Sequence, residues 1–333
     1  MLAPRLRAVL CRGAPVPRRT ALFLHGAPRY SSTNSYEFDA HTALRPNSTD
    51  PTMLRLRAPL SAGWSVSGSP NGGLLQAIAI SAMRAHPGQP FRDPLTLTAH
   101  FLAPAVEGAG LEARAALLKR GRSSATATAT LSQQGRARVH ATATFGDLGA
   151  QAGPSADGPE LSTCGAGAPP QATLPPPSAC VRGNPLHRAD LTVGERAELL
   201  VAPDSDWARG YARGECSSAL APAFEGWLRL SDGRLPCLRG LALYGDVTPP
   251  PLLNAIDGGI AAVRWLPTLE MTTHFRARPH KDEGGWVAVR ARSVALRDGV
   301  FSTEAEVWDN APEEAGGPKL CATSRQLAMV RLY

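Results

Sequence analysis

Apolar residues crowd every face of the stretch LLQAIAISAMRAH. Leu74, Leu75, Ile78, Ile80 and Met83 leave no polar stripe and no breaker interrupts them, so residues 74–86 are expected to form one buried helix. The preceding GWSVSGSPNGG (63–73) is a Gly/Ser/Pro/Asn cluster and reads as a loop or turn. After the helix the period falls to two. LTLTAHFL (95–102) lies between Pro94 and Pro104, LEARAALLKR is bounded by glycines, and SSATATATLSQ (123–133) alternates Thr with Ala. A turn at Gln133-Gln134-Gly135 leads into RARVHATATFG (136–146), which alternates again. Residues 60–147 thus read as a helix followed by antiparallel strands.

The same plan returns later in the chain. EGWLRLSDG (225–233) reads as a strand ending at an Asp-Gly turn. LPCLRGLALYGD (235–246) spaces Leu235, Leu238, Leu241 and Ala242 as a helix does and is stopped by Pro249-Pro250-Pro251. Strands are expected over 267–278, 285–296, 300–309 and 319–333. Thr98-Ala99-His100-Phe101 matches Thr272-Thr273-His274-Phe275 at an offset of 174, and Ala141-Thr142 matches Ala322-Thr323 at an offset of 181. With the same order of elements, these matches indicate an internal duplication. The Ala/Gly/Pro/Ser-rich stretch between the halves reads as a linker or excursion without a core of its own. The expected organisation is a leader over 1–33, a first domain over 34–147, the linker over 148–185 and a second domain over 186–333.

Composition changes this picture in three places. The net charge of +7 suggests nucleic acid until its location is examined: Arg5, Arg7, Arg12, Arg18, Arg19 and Arg29 all precede the first acid, Glu37. Setting these six aside leaves 29 basic against 28 acidic residues, so the body has no electrostatic footprint for DNA or RNA. The Arg-rich, acid-free start, with Arg29-Tyr30-Ser31-Ser32 resembling a matrix-protease cleavage site, is the composition of a mitochondrial transit peptide. The matrix is therefore the expected location and the cytoplasm the second choice. No run approaches the ~20 apolar residues of a membrane span. The six cysteines form no CxxC pair and have no metal-ligand spacing to a histidine, which fits free thiols in a reducing compartment and no metal.

A sheet wrapped around one long buried helix is the hot-dog fold, and two in tandem make a double hot-dog, an α+β architecture. The motifs resemble the acyl-CoA thioesterase-like family with N- and C-terminal hot-dog domains. The first half carries Asn71-Gly72-Gly73, DPLTLTAHFLAP (93–104), Arg120-Gly121-Arg122-Ser123 and LSQQGR (131–136). The second carries GWLRLSDGR (226–234), Pro267-Thr268 with Thr272, Trp308-Asp309 and SRQLA (324–328). The resemblance covers nearly all of 60–333.

It implies an acyl-CoA substrate, no cofactor, and hydrolysis by a water held between an Asp, a Thr or Ser, and a Gln of the second domain. By position these are Asp246, Thr268 and Gln326. A carboxylate near a helix end can take a proton from water, and a Thr hydroxyl with a Gln amide can fix that water in place. By the two offsets, Thr268 corresponds to Pro94 and Gln326 to Phe145, so the first half lacks the set. Gly72 and Gly73 either permit tight packing or lend backbone N–H groups to the thioester carbonyl. Arg120 and Arg122 either meet coenzyme A phosphates or stand in a solvated loop. The competing reading is a non-catalytic hot-dog protein that binds acyl thioesters or a partner. No GxSxG elbow occurs, which disfavours a serine hydrolase. A double hot-dog already contains the basic dimeric unit, and further pairing of chains is compatible with it.

Overall fold

The computed structural model describes residues 36–47, 53–57, 59–66, 68–86, 88–151, 168–184, 192–281 and 284–333. The expected leader and the middle of the inter-domain stretch lie outside these. Thirteen strands form one mixed-length antiparallel sheet that runs through both halves. In chain order they are β1 (Leu44–Pro46), β2 (Met53–Leu56), β3 (Asp93–Phe101), β4 (Glu112–Arg120), β5 (Ala125–Gln133), β6 (Arg136–Gly146) and β7 (Val181–Arg182). Then follow β8 (Ala197–Val201), β9 (Ala223–Leu230), β10 (Thr268–Phe275), β11 (Val287–Arg297), β12 (Val300–Trp308) and β13 (Leu320–Met329). Their spatial order is β1-β2-β4-β5-β6-β3-β10-β13-β12-β11-β9-β8-β7, so β3 and β10 join the halves. The short outer strands β1, β2, β7 and β8 have too few residues for a readable alternation, and the sequence did not announce them.

The central strands are where the period-two reading predicted them. In β5, Ala125, Ala127, Ala129 and Leu131 are buried while Thr126, Thr128 and Thr130 are half-exposed. Gln134 and Gly135 both have positive φ, 52° and 75°, as a two-residue hairpin turn requires. The inner row of alanines lets the helix come close to the sheet. That helix, α2 (Gly72–Ala85, following a short α1 over Glu37–Thr42), starts two residues before the apolar run and is buried on nearly every side. Asn71 caps it, its side-chain oxygen accepting the Leu74 N–H at 3.1 Å.

At the seam, Thr98 stands opposite Thr272 and their hydroxyls are 2.8 Å apart. These two residues differ by the repeat offset itself. Repeat-equivalent positions therefore face one another, as an approximate two-fold axis through the seam demands. The ladder also corrects one correspondence. Phe101 pairs with Val139 and Phe275 with Ala322, so the offset along β6 and β13 is 322 − 139 = 183, not 181. Gln326, opposite Met271, is then equivalent to Ala143, opposite Leu97. Thr268 and Pro94 remain equivalent, each beside the same register shift.

The central helix of the second half, α3 (Leu238–Tyr244), has seven residues against fourteen in α2. Three consecutive prolines cannot continue a helical ladder, and the chain goes on instead in tight turns over Pro251–Ala255 and Gly259–Ala262. Part of the expected linker is tied down. Residues 168–184 cross the outer face of the second half, where Leu174 and Cys180 pack against the buried Trp227, Trp286 and Trp308. The Trp227 indole donates to the Pro175 carbonyl at 2.8 Å. No helix among the described residues is long and apolar enough to cross a membrane.

Candidate active site

Helices α2 and α3 meet at Gly73. A Cβ there would lie 2.7 Å from both the Ala242 carbonyl oxygen and the Leu243 Cα, too close for any side chain. This contact brings the end of α3 to the start of α2. Past Tyr244 the chain makes one more turn, with the Asp246 N–H donating to the Leu243 carbonyl at 3.0 Å, and this aims the Asp246 side chain at the α2 N-terminus. There Asp246 Oδ2 accepts from the Gly73 N–H at 2.7 Å and from Asn71 Nδ2 at 3.0 Å.

The other oxygen faces the sheet. Gln326 on β13 donates through Nε2 to Asp246 Oδ1 at 3.1 Å and to Thr268 Oγ1 on β10 at 2.6 Å. Thr268 opens its strand opposite Ala328, and the register shift before Glu270 sets its orientation relative to the rest of β10. Ser324, two residues before Gln326 and on the same face, donates to the Gly245 carbonyl and anchors the loop that carries Asp246. Asp246, Thr268 and Gln326 are all half-buried.

Burial pushes the Asp246 carboxyl above the ordinary carboxylate range, while the Gly73 N–H, the Asn71 amide and the Gly72 N–H pull it back by stabilising the anion. The positive end of the α2 dipole acts in the same direction. The outcome is a carboxylate with one oxygen locked and the other tied to the Gln326 amide, which in turn holds the Thr268 hydroxyl.

The three residues expected from the second domain therefore meet, although 80 positions separate Asp246 from Gln326. Gly72 and Gly73 lie against them. A Cβ on Gly72 would approach Asp246 Oδ2 to 3.0 Å and Phe101 Cζ to 2.9 Å, so close packing is part of what both glycines do. The Gly73 N–H is already given to Asp246. Arg120 and Arg122 are not brought here. They are exposed on the β4–β5 hairpin, where Arg120 pairs with Ala125 in line with Phe145 and Pro94, at the opposite end of β3 from the Thr268 row. Sequence reasoning assigned Asn71 no role at the site. The signal was present, since an Asn before Gly-Gly and an apolar run is a helix cap, but its second bond crosses between halves and no local pattern encodes it. Among the described residues no group of three His, Cys, Asp or Glu side chains is arranged to hold a metal ion.

A family model described as the acyl-CoA thioesterase N-terminal domain matches residues 60–146, and one described as the C-terminal domain matches residues 183–330. Solved structures agree. A putative thioesterase II from Thermobifida fusca YX is 28% identical, with a TM-score of 0.69 over 89% of this chain and 97% of that one. A conserved protein of unknown function with a hot-dog fold from Alicyclobacillus acidocaldarius is 23% identical, with a TM-score of 0.69 over 90% of this chain and 100% of its own. An acyl-CoA thioesterase II from Mycobacterium marinum shares the fold at 14% identity, with a TM-score of 0.57 over 89% and 98% of the two chains. No curated protein matches the sequence. With both halves matched in order, the chain belongs to the acyl-CoA thioesterase family as a tandem hot-dog protein.

Proposed function

We propose that the protein hydrolyses an acyl-CoA to the free acid and coenzyme A, using a water activated by Asp246, Thr268 and Gln326. The observation that carries this reading is the single Gln326 amide donating to both the Asp246 carboxylate and the Thr268 hydroxyl. A water entering this group meets a carboxylate oxygen to receive its proton and two neutral polar groups to fix its lone pair toward the thioester carbon. As the water oxygen bonds to that carbon, negative charge grows on the carbonyl oxygen at the positive end of α2. The tetrahedral intermediate then expels the coenzyme A thiolate, a good leaving group, and the proton held by Asp246 returns to it. No step needs a metal or a redox partner.

The family, the fold and the meeting of the three side chains support this reading. The test is thiol release by the purified full chain from a panel of acyl-CoAs of increasing length. Release at one or more lengths is expected. Binding without release at every length would instead make the protein a non-catalytic acyl-thioester binder. The Arg-rich, acid-free leader supports a matrix location for the activity, and recovery of a tagged full chain in the cytosolic fraction alone would overturn that.

A further inference from the structure

The β11–β12 hairpin runs beyond β9, its neighbour on one side, while β13 follows it to its end. Strand β9 stops pairing with β11 at Arg292, yet the hairpin continues to a two-residue turn at Asp298-Gly299, with φ 51° and 76°. Every residue from Val294 to Asp298 is exposed, and so is Val300. An exposed strand edge in water is normally dominated by charged side chains. This one carries Val294, Leu296 and Val300 as well, with Leu296 opposite Phe301 on one face and Val300 opposite Arg297 on the other.

The apolar surface does not end there. Val330 donates its N–H to the Gly299 carbonyl, and the chain then forms a ribbon in which Arg331–Leu332 pairs with Val263–Trp265. Trp265 and Leu332 are 52% and 53% exposed. The other five tryptophans are all buried, at 9% or less. Interleaved with this apolar rim are the exposed Arg264, Arg297 and Arg331, against the one acid of the turn, Asp298. Aromatic and aliphatic side chains mixed with arginines that outnumber the nearby acid, on an exposed edge, complement an anionic lipid surface. The apolar groups enter the acyl boundary and the guanidiniums meet the headgroup phosphates.

We propose that this rim, built from the β11–β12 hairpin and the Val263–Trp265/Arg331–Leu332 ribbon, docks the protein on an anionic phospholipid surface. It lies beside the strands that carry Thr268 and Gln326, since Thr268 pairs with Ala328 and Val300 with Met329. Docking therefore turns the Thr268 end of the sheet toward the membrane.

Trp265 is a built-in probe, because it is the one exposed tryptophan of six. The full chain is mixed with vesicles of pure phosphatidylcholine or of phosphatidylcholine with phosphatidylglycerol, and sedimentation is read together with acrylamide quenching of tryptophan emission. Binding to the anionic vesicles only is expected, with a blue shift and at least about a twofold loss of quenching. That optical change should vanish in Trp265→Phe. Arg297→Gln should weaken partition about fivefold, as removal of one cation near a charged bilayer does, and Leu296→Asp should weaken it further. Both variants should keep wild-type thermal unfolding, since neither side chain is buried. Sedimentation with Trp265 still fully quenchable would assign binding to the Arg-rich leader and overturn the proposal. So would protection of Trp265 that rises with protein concentration without vesicles, which would assign the rim to a second copy or another protein surface.

Discussion

The two helix starts of this molecule are built alike and equipped differently. Asn71 and Cys237 both cap their helices by accepting the N–H three residues on. Asp246 lies nine positions after Cys237, and the residue nine positions after Asn71 is Ile80, fully buried. Thr268 has Pro94 in its equivalent place and Gln326 has Ala143. Across the helix crossing, Gly73 receives Asp246, whereas Arg239, two residues past the Cys237 cap, bonds to Ser81 at 2.9 Å and Asp39 at 2.8 Å. The start of α2 gathers a carboxylate, an amide and a hydroxyl into one hydrogen-bonded group. The start of α3 instead carries an arginine bonded to Ser81 and Asp39. Duplication thus supplied two positions for a site, and the fold needs polar equipment at only one of them.

The sharpest way to break this comparison is chemical. Asp246→Asn should lower kcat/KM at least ~100-fold by removing the proton acceptor, with the fold intact by circular dichroism. At the mirror position, Pro94→Thr should leave turnover unchanged. Gln326→Ala should cost roughly tenfold or more in kcat through loss of water positioning, whereas Ala143→Gln should not raise activity.

The crossing itself comes next. Gly73→Ala forces apart the α2–α3 contact and should cost about 1–3 kcal/mol in urea unfolding, with activity falling because Asp246 moves. Its mirror, Arg239→Ala, strips bonds from Ser81 and Asp39 and should cost a similar ~1–3 kcal/mol while kcat per folded molecule stays the same.

A smaller effect lies in the pH profile. The proposed base must be ionised, and burial holds Asp246 above the ordinary carboxylate range. The acid limb of kcat/KM should therefore fall above that range and disappear in Asp246→Asn. Asn71 lowers that pKa by donating to the anion, so Asn71→Ala should move the limb to higher pH. The linked stability has the matching sign. With the folded pKa above the unfolded one, the contribution of Asp246 is full below the unfolded pKa and is lost as pH rises through the folded one. Asp246→Asn should accordingly flatten that part of the stability profile. Least of all, Thr98→Ala at the seam removes one hydroxyl contact and should cost about 1 kcal/mol or less with unchanged turnover.

How much of this was legible in the sequence follows from what each element depends on. Helix α2 and strands β5 and β6 could be read because a breaker-free apolar run and an Ala/Thr alternation are local patterns that tertiary packing then obeys. The outer strands are three to five residues long or shorter, and their pairing is set by neighbours far along the chain. The trio was legible only through family motifs, since each member alone is an ordinary turn, strand or surface residue. Asn71 as a partner of Asp246 was not legible, because a cap forms within one turn but the crossing of two helices does not. The displacement of the Gln326 equivalent from Phe145 to Ala143 has the same origin. Two-residue matches fix a repeat only to within the period of a strand, and backbone pairing is needed to settle the register.

The central claim is that one of the two helix starts is equipped for an acyl thioester and the other is not. Calorimetric titration of the full chain with a non-hydrolysable thioether analogue of a turned-over acyl-CoA tests it most directly. One analogue bound per chain, with an affinity equal to its inhibition constant for thiol release, is the expected result. Two bound per chain, or one bound without competing with turnover, would contradict the account.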